Sequence, residues 1–191
     1  MGIVTPIQHQ EEHSEKELKQ DELILLKMME QNLEGVMYHS FETDFYDLLK
    51  LDGFKLMHEY QAKEENENLK DLKNKYIKCY KKLPQLEIQK ENNYWKDYSD
   101  LTRDKAKEKL PELVKMSMKS YADWETEVLE HLLKWKRDFY DREIFHSMIK
   151  EVMKEIEQIE TLINILEEHN YHVDCICEIS DFLFKRYYRS V

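Results

Sequence analysis

Glycine and proline are nearly absent, with three of each in 191 residues. A sheet-rich fold turns about every ten residues and draws on both for its turns, so their scarcity excludes it. Cysteine is just as scarce. Cys79, Cys175 and Cys177 are odd in number, and the last two stand too close together for the usual two-residue spacing of a zinc site. They read as reduced thiols of a cytosolic protein. Positive charge is also in the minority: 29 basic against 40 acidic residues leave a net charge of -11, the opposite of a nucleic-acid footprint. No apolar run approaches the roughly 18–20 residues of a membrane span. The start, Met1 to Pro6, lacks the basic region and apolar run of a secretory signal, and Pro6 stands where a myristoylation motif wants Ser or Thr. The expectation is a soluble, cytoplasmic protein without nucleic-acid or membrane partners.

Leu, Lys, Glu and Met dominate, and they favour helices. Residues 1–20 are polar without periodicity and read as a flexible arm, leaving 21–191 as one domain. Leu26, Met29, Leu33, Met37, Phe41, Phe45 and Leu48 recur at steps of three and four, the stripe of a helix over 21–48. Phe54, Met57, Gln61, Glu65, Asn68, Leu72 and Tyr76 give a second helix over 53–80, oddly polar in its middle, before Pro84. After an aperiodic stretch of about 83–108, Val114, Met118, Tyr121, Glu125, Val128, Leu132, Trp135 and Phe139 mark a third over 109–139. Phe145, Ile149, Val152, Ile156, Ile159, Ile163 and Leu166 mark a fourth over 142–168. Residues 170–178 read as a turn, and a short last helix over 179–190 presents Phe182, Leu183 and Phe184. Four long helices with one long crossover predict an all-α four-helix bundle with a short fifth helix.

Glu34, Glu65 and Glu125 lie on or beside the apolar stripes of three different helices. An ionised carboxylate costs several kcal/mol to bury alone, so each needs a cation, a hydrogen-bond partner or a proton. Oxygen ligands suit hard cations, and three converging glutamates could hold one. Solvated positions on slightly rotated helices are the plain alternative. Of the histidines, only His146, in Glu143-Ile144-Phe145-His146, has the Glu-x-x-His spacing of a shared helical face. A di-iron enzyme of the common type needs that pair on two helices. His39, His58 and His131 read as surface or packing residues, and Tyr121, Trp124 and Trp135 as core or core rim.

At these positions the chain resembles ferritin. Gln31-Asn32-Leu33-Glu34 is similar to the Asn-Leu-Glu of that family's first helix, whose Glu is an iron ligand. Gly53-Phe54, followed by Gln61-Ala62-Lys63-Glu64-Glu65-Asn66-Glu67-Asn68, resembles the family's Gly-Phe and Gln-Ser-x-Glu-Glu-x-Glu-His, with Glu65 in the place of a bridging glutamate. Trp124-Glu125-x-x-Val128 resembles the Leu-Glu-x-x-Val of its third helix. Ser180 to Arg186 is similar to the Glu-Tyr-Leu-Phe-Asp-Lys of its fifth. The resemblance implies a ferritin-like bundle, iron as cargo and assembly into a cage, as a homo-oligomer or with other ferritin subunits.

It also implies a degenerate oxidising centre. Asn68 stands where the family has an iron-binding His, Phe41 replaces a nearby Tyr, and Val152 or Glu151 falls where a Gln is expected. The implied metal ligands are Glu34, Glu65, Glu125 and Glu151, with iron bound weakly and oxidation weak or absent. Glu64 and Glu67 match members of the acidic mineral-nucleating surface of light-type subunits. The expectation is therefore an iron-storage subunit. Two alternatives stay open: a structural or chaperone-like oligomer without iron, and a di-iron oxidase with altered ligands.

Overall fold

A computed structural model describes residues 15–87 and 100–189, with side chains from residue 19 onward, and among them there are helices and no strands. α1 (Glu15–Leu49), α2 (Asp52–Tyr80), α4 (Leu110–Asp138) and α5 (Glu143–Glu168) are long; α3 (Arg103–Glu108) and α6 (Val173–Tyr187) are short. The four long helices fall where the periodicity placed them, with three corrections around them. Residues 15–20 of the expected flexible arm are helical, and residues 1–14 lie outside the described part. The expected turn over 170–178 is compressed, because Asn170 and Tyr171 both take positive φ and reverse the chain at once. His172 then caps α6, its side chain accepting from the Asp174 N–H. α3, capped by Thr102, lies in the crossover where no helix was expected.

The helix ends carry their own signals. Pro111 sits in the first turn of α4, where its missing N–H costs nothing, and Lys136 and Arg137 in its last turn face the negative end of the dipole. Between α1 and α2, Lys50 takes φ 60 and the reversal needs only Lys50 and Leu51.

α1 packs on α2 and α4, α4 packs on α5, and α6 lies mainly across α2. No Cα of α2 comes within 8 Å of one in α5, so that side of the bundle is bridged by side chains alone. The core is two apolar bodies. One gathers Tyr46, Phe54, Met57, Met118, Ile159 and Leu183; the other gathers Leu25, Met28, Leu72, Leu132, Phe145 and Val152. Phe45, Leu72, Val128 and Ile159 are buried, as the stripes require. The stripe on α1 was misplaced. Met37 is 43% exposed, and Leu26, Leu33 and Leu48 are half-buried, while Ile24, Leu25, Met28, Tyr38 and Tyr46 are buried instead.

Gly53 fixes the seat of α6. A Cβ there would stand 1.7 Å from the Ser180 backbone oxygen, and the Gly53 N–H donates to Ser180 Oγ at 3.0 Å. Gly53→Ala is therefore expected to force α6 off the bundle, exposing Ile179 and Leu183. The check is thermal unfolding, where a loss of several kcal/mol is expected from overpacking against backbone. A melting temperature within a degree or two of the parent would refute this seat.

Candidate metal centre

Between the two apolar bodies the bundle has a polar waist. Every long helix contributes to it: Asn32 from α1, Gln61 and Glu65 from α2, Tyr121 and Glu125 from α4, and Glu155 from α5. Asn32, Gln61 and Glu125 are 3%, 4% and 1% exposed. Glu65 and Glu155 are half-buried, yet burial is the largest influence on both carboxyls and pushes each up to about 8. The carboxyls of Glu155, Glu64 and Glu151 add to the rise at Glu65. Burial raises Glu125 well above the carboxylate range, with Glu155 and Glu65 as its next influences. These acids share one proton-hungry space.

Hydrogen bonds settle part of the charge. The Glu125 and Glu155 carboxyls are hydrogen-bonded to each other, a contact that requires a proton between them. Oriented to suit its neighbours, the Gln61 amide donates to Glu64 Oε2 at 3.2 Å and Glu155 Oε1 at 3.3 Å, and accepts from the Tyr121 hydroxyl at 3.1 Å. Tyr60 donates to Glu64 Oε1 at 2.6 Å. Three oxygens are left over: Gln31 Oε1, Asn32 Oδ1 and Glu125 Oε1 are buried without a hydrogen-bond partner. A cavity of about 30 Å³ lies here, lined by Asn32, Gln61, Glu65, Asn68, Glu151 and Glu155 among others.

Gly35 makes the waist possible. Glycine inside a helix costs about 1 kcal/mol relative to alanine. Here a Cβ would meet the Glu65 carboxyl carbon and Oε1, both at 2.9 Å, so α1 yields its side chain to make room for the acid of α2.

Beyond Glu125 lie two histidines expected at the surface or in packing. Both are buried, His39 at 1% and His58 at 0%. Their Nδ1 atoms are 3.0 Å apart, and His39 Nε2 stands 3.8 Å from Glu125 Oε1. Burial holds His39 down at about 3 and His58 well below the usual imidazole range, so both rings are neutral and the contact with Glu125 is no ion pair. A further acid, Glu42, lies buried beside them; Ser117 Oγ donates to it at 2.5 Å, and burial pushes it up to about 7.

Of the expected ligands, Glu65 and Glu125 are brought together and Glu34 is not. Glu34 points to the α1–α4 surface, where its charged neighbours are Glu30 and Glu127. Asn32 takes its place in the waist. Glu151 is exposed at the cavity's rim, and the enclosed α5 acid is Glu155, one turn further on. Asn68 does line the cavity, as does the buried Val152. Phe41 is buried against Phe45 and lines no part of it. Glu64 is half-buried and Glu67 exposed, and both Glu143 and His146 are exposed at the start of α5. The three cysteines are free thiols.

The donor set is oxygen-rich, and by the measure that gives one water about 10–15 Å³ the cavity holds about two waters or one bare ion. Its composition suits a hard cation. Its geometry is not preset: among the described residues no three Asp, Glu, His or Cys side chains converge closely enough to ligate one ion. No described helix is long and apolar enough to cross a membrane. No protein-family model matches the chain, and no curated protein matches it.

The raised carboxyls fix a sign. Glu65 and Glu155 ionise near 4.5 when unfolded and near 8 when folded, so the native state binds more protons between these values and loses stability as pH rises through them. The buried histidines act oppositely, losing stability as pH falls from 6.5 toward 3. Between pH 6.5 and 8 the acids act alone. The melting temperature should fall over that interval, and Glu65→Gln should flatten the fall. A parent curve flat from pH 6.5 to 8 would contradict the enclosure of these groups.

Proposed function

We propose that this protein is a ferritin-like iron-storage subunit whose oxidising centre is degenerate, and that the waist takes iron weakly, as cargo. The observation that carries the reading is the approach of Glu65, Glu125 and Glu155 from three helices within one buried waist, Glu65 and Glu155 lining its small cavity. Two of the three stand at positions that resemble ligand positions of that family. Asn68 lines the same cavity, and its amide cannot supply the imidazole that would hold a second iron. With oxygen donors only and no preset geometry, binding is loose and oxidation slow. Oxidation of ferrous iron by dioxygen under air is the measurement. A slow parent is expected, with Asn68→His severalfold faster and Glu65→Ala slower still. A fast parent indifferent to Glu65→Ala would end this assignment.

A second reading has one specific support. The proton-linked Glu125–Glu155 pair and the Gln61 amide satisfy part of the waist without a metal, as a structural oligomer without iron would require. Iron content of the purified protein, read beside its mass in solution, separates the two.

Assembly is part of the proposal. α6 buries Ile176, Ile179 and Leu183 in the bundle but leaves Phe182 at 56% and Phe184 at 37% exposure. Tyr188, just past its end, is 65% exposed and stacks on Phe184. An aromatic face of this kind fits a subunit contact. Deleting α6 would uncover the core, so the informative variant is Phe182→Ser with Phe184→Ser. It should lower the assembled mass while leaving the helical signal intact. An unchanged mass would remove α6 from the assembly contact.

A further inference from the structure

The central cavity has a neighbour on each side, and all three share walls. On the α1–α4 face a basin of about 250 Å³ shares Gln31, Val128 and Trp135 with it. On the α2–α5 side a pocket of about 200 Å³ shares Gln61, Glu64, Glu151 and Glu155. Three spaces thus cross the bundle in series. The basin is acidic: Glu30, Glu34, Glu87 and Glu127 line it against Lys27 and Lys134, four carboxylates to two ammonium groups. The Glu87 N–H donates to Glu30 Oε1 at 2.9 Å, which pins one wall.

Acidity alone would describe a solvated groove. Two buried carbonyl oxygens say more. Gln31 Oε1, on the wall between basin and cavity, and Asn32 Oδ1, on the cavity side and in a residue only 3% exposed, are both without a hydrogen-bond partner. A buried acceptor left unpaired costs about 1–3 kcal/mol, so successive ones along one helix call for a partner that meets them in turn, a water or a cation. An amide oxygen serves a hard cation well.

We infer that the basin on the α1–α4 face is the entrance by which a hydrated divalent cation reaches the waist, gathered by Glu34 and Glu127 and passed inward along the carbonyls of Gln31 and Asn32. The inference rests on the proposed cation-binding role of the waist. Size supports the order of events. With about 10–15 Å³ for each water, the basin takes an ion with its full shell and the central cavity only a stripped one, so water is shed between them. Carboxylates spaced around a basin hold such an ion through its waters, without converging on it. Glu34, displaced from the waist, thereby has a role of its own.

Terbium(III) is a suitable probe, because it seeks carboxylates and its emission is excited through nearby indoles. Trp124 and Trp135 line the basin. The parent should give indole-sensitised emission. Glu34→Gln with Glu127→Gln should weaken terbium binding at least tenfold with an unchanged helical signal, and Glu65→Gln with Glu155→Gln should leave the emission in place. No emission from the parent, or emission indifferent to the basin variant, overturns the inference.

The route is tested by manganese(II) uptake, followed as loss of the free-ion paramagnetic signal. Uptake should be severalfold slower in the basin variant with the same end point, and should be abolished in the waist variant. An unchanged rate removes the entrance while the waist reading stands. A parent that takes up no manganese yet excites terbium removes the waist reading and the entrance with it, leaving a surface cation site.

Discussion

Several carboxyl groups enclosed in one low-dielectric space cannot all carry charge, and the middle of this bundle is organised around that constraint. Each helix meets it differently. α2 brings Glu65 into the gap that Gly35 leaves on α1. α4 and α5 share a proton between Glu125 and Glu155. Gln61 supplies amide hydrogens to Glu64 and Glu155. Where α2 and α5 stand apart, these side chains fill the space that backbone packing leaves. The two apolar bodies above and below act as clamps, because they fix the helices at both ends and leave the waist no means of collapsing to exclude its acids.

Much of the fold was legible because the third and fourth long helices announce themselves. On α4 and its C-cap, Val114, Met118, Tyr121, Glu125, Val128, Leu132, Trp135 and Phe139 are all buried, and seven of the eight are apolar or aromatic. Periodicity locates Glu125 from its neighbours, since a lone acid in a strong stripe inherits the stripe's phase. The same argument fails on α1. Its central seam reads Leu25, Met28, Asn32, Gly35, His39, Glu42 and Tyr46, all buried, and the middle four carry no hydrophobic signal. Apolar residues beside the seam, from Leu26 to Leu48, supply a competing phase about one position off. That shift brought Glu34 into the predicted centre and left out Asn32, His39 and Glu42.

On α5 the miss is smaller and more instructive. Val152, Glu155 and Ile159 keep steps of three and four, as do Val152, Ile156 and Ile159. Hydrophobicity favours Ile156, which is half-buried, and hides Glu155, whose carboxyl is enclosed. A reading that weighed position above polarity would have found it: an acid flanked at these steps by two buried aliphatics lies on the same face as they do. What no periodicity conveys is the gap between α2 and α5, because the separation of two helices depends on all the side chains between them. The α6 seat was equally hidden, since the need for Gly53 arises from Ser180, a residue 127 positions away.

Under the proposed function, protons and metal cations would compete for the same oxygens in the waist, so the two functional readings differ in occupant more than in architecture. With Glu65 and Glu155 raised to about 8, a cation entering near neutral pH must displace protons that these groups still hold. For each proton released, apparent affinity falls about tenfold per unit drop in pH below those values. The enclosure that concentrates carboxylates on one cavity therefore also weakens it toward cations, and does so most in acid. A centre preset for tight binding avoids this by surrounding its acids with imidazoles or cationic groups that keep them ionised when empty. Here His39 and His58 are neutral, no ion pair to a Lys or Arg reaches the waist among the described residues, and the carboxyls keep their protons until something replaces them. Loose, pH-dependent occupancy is thus what the burial of the acids implies for the proposed cation site, whichever hard cation is offered.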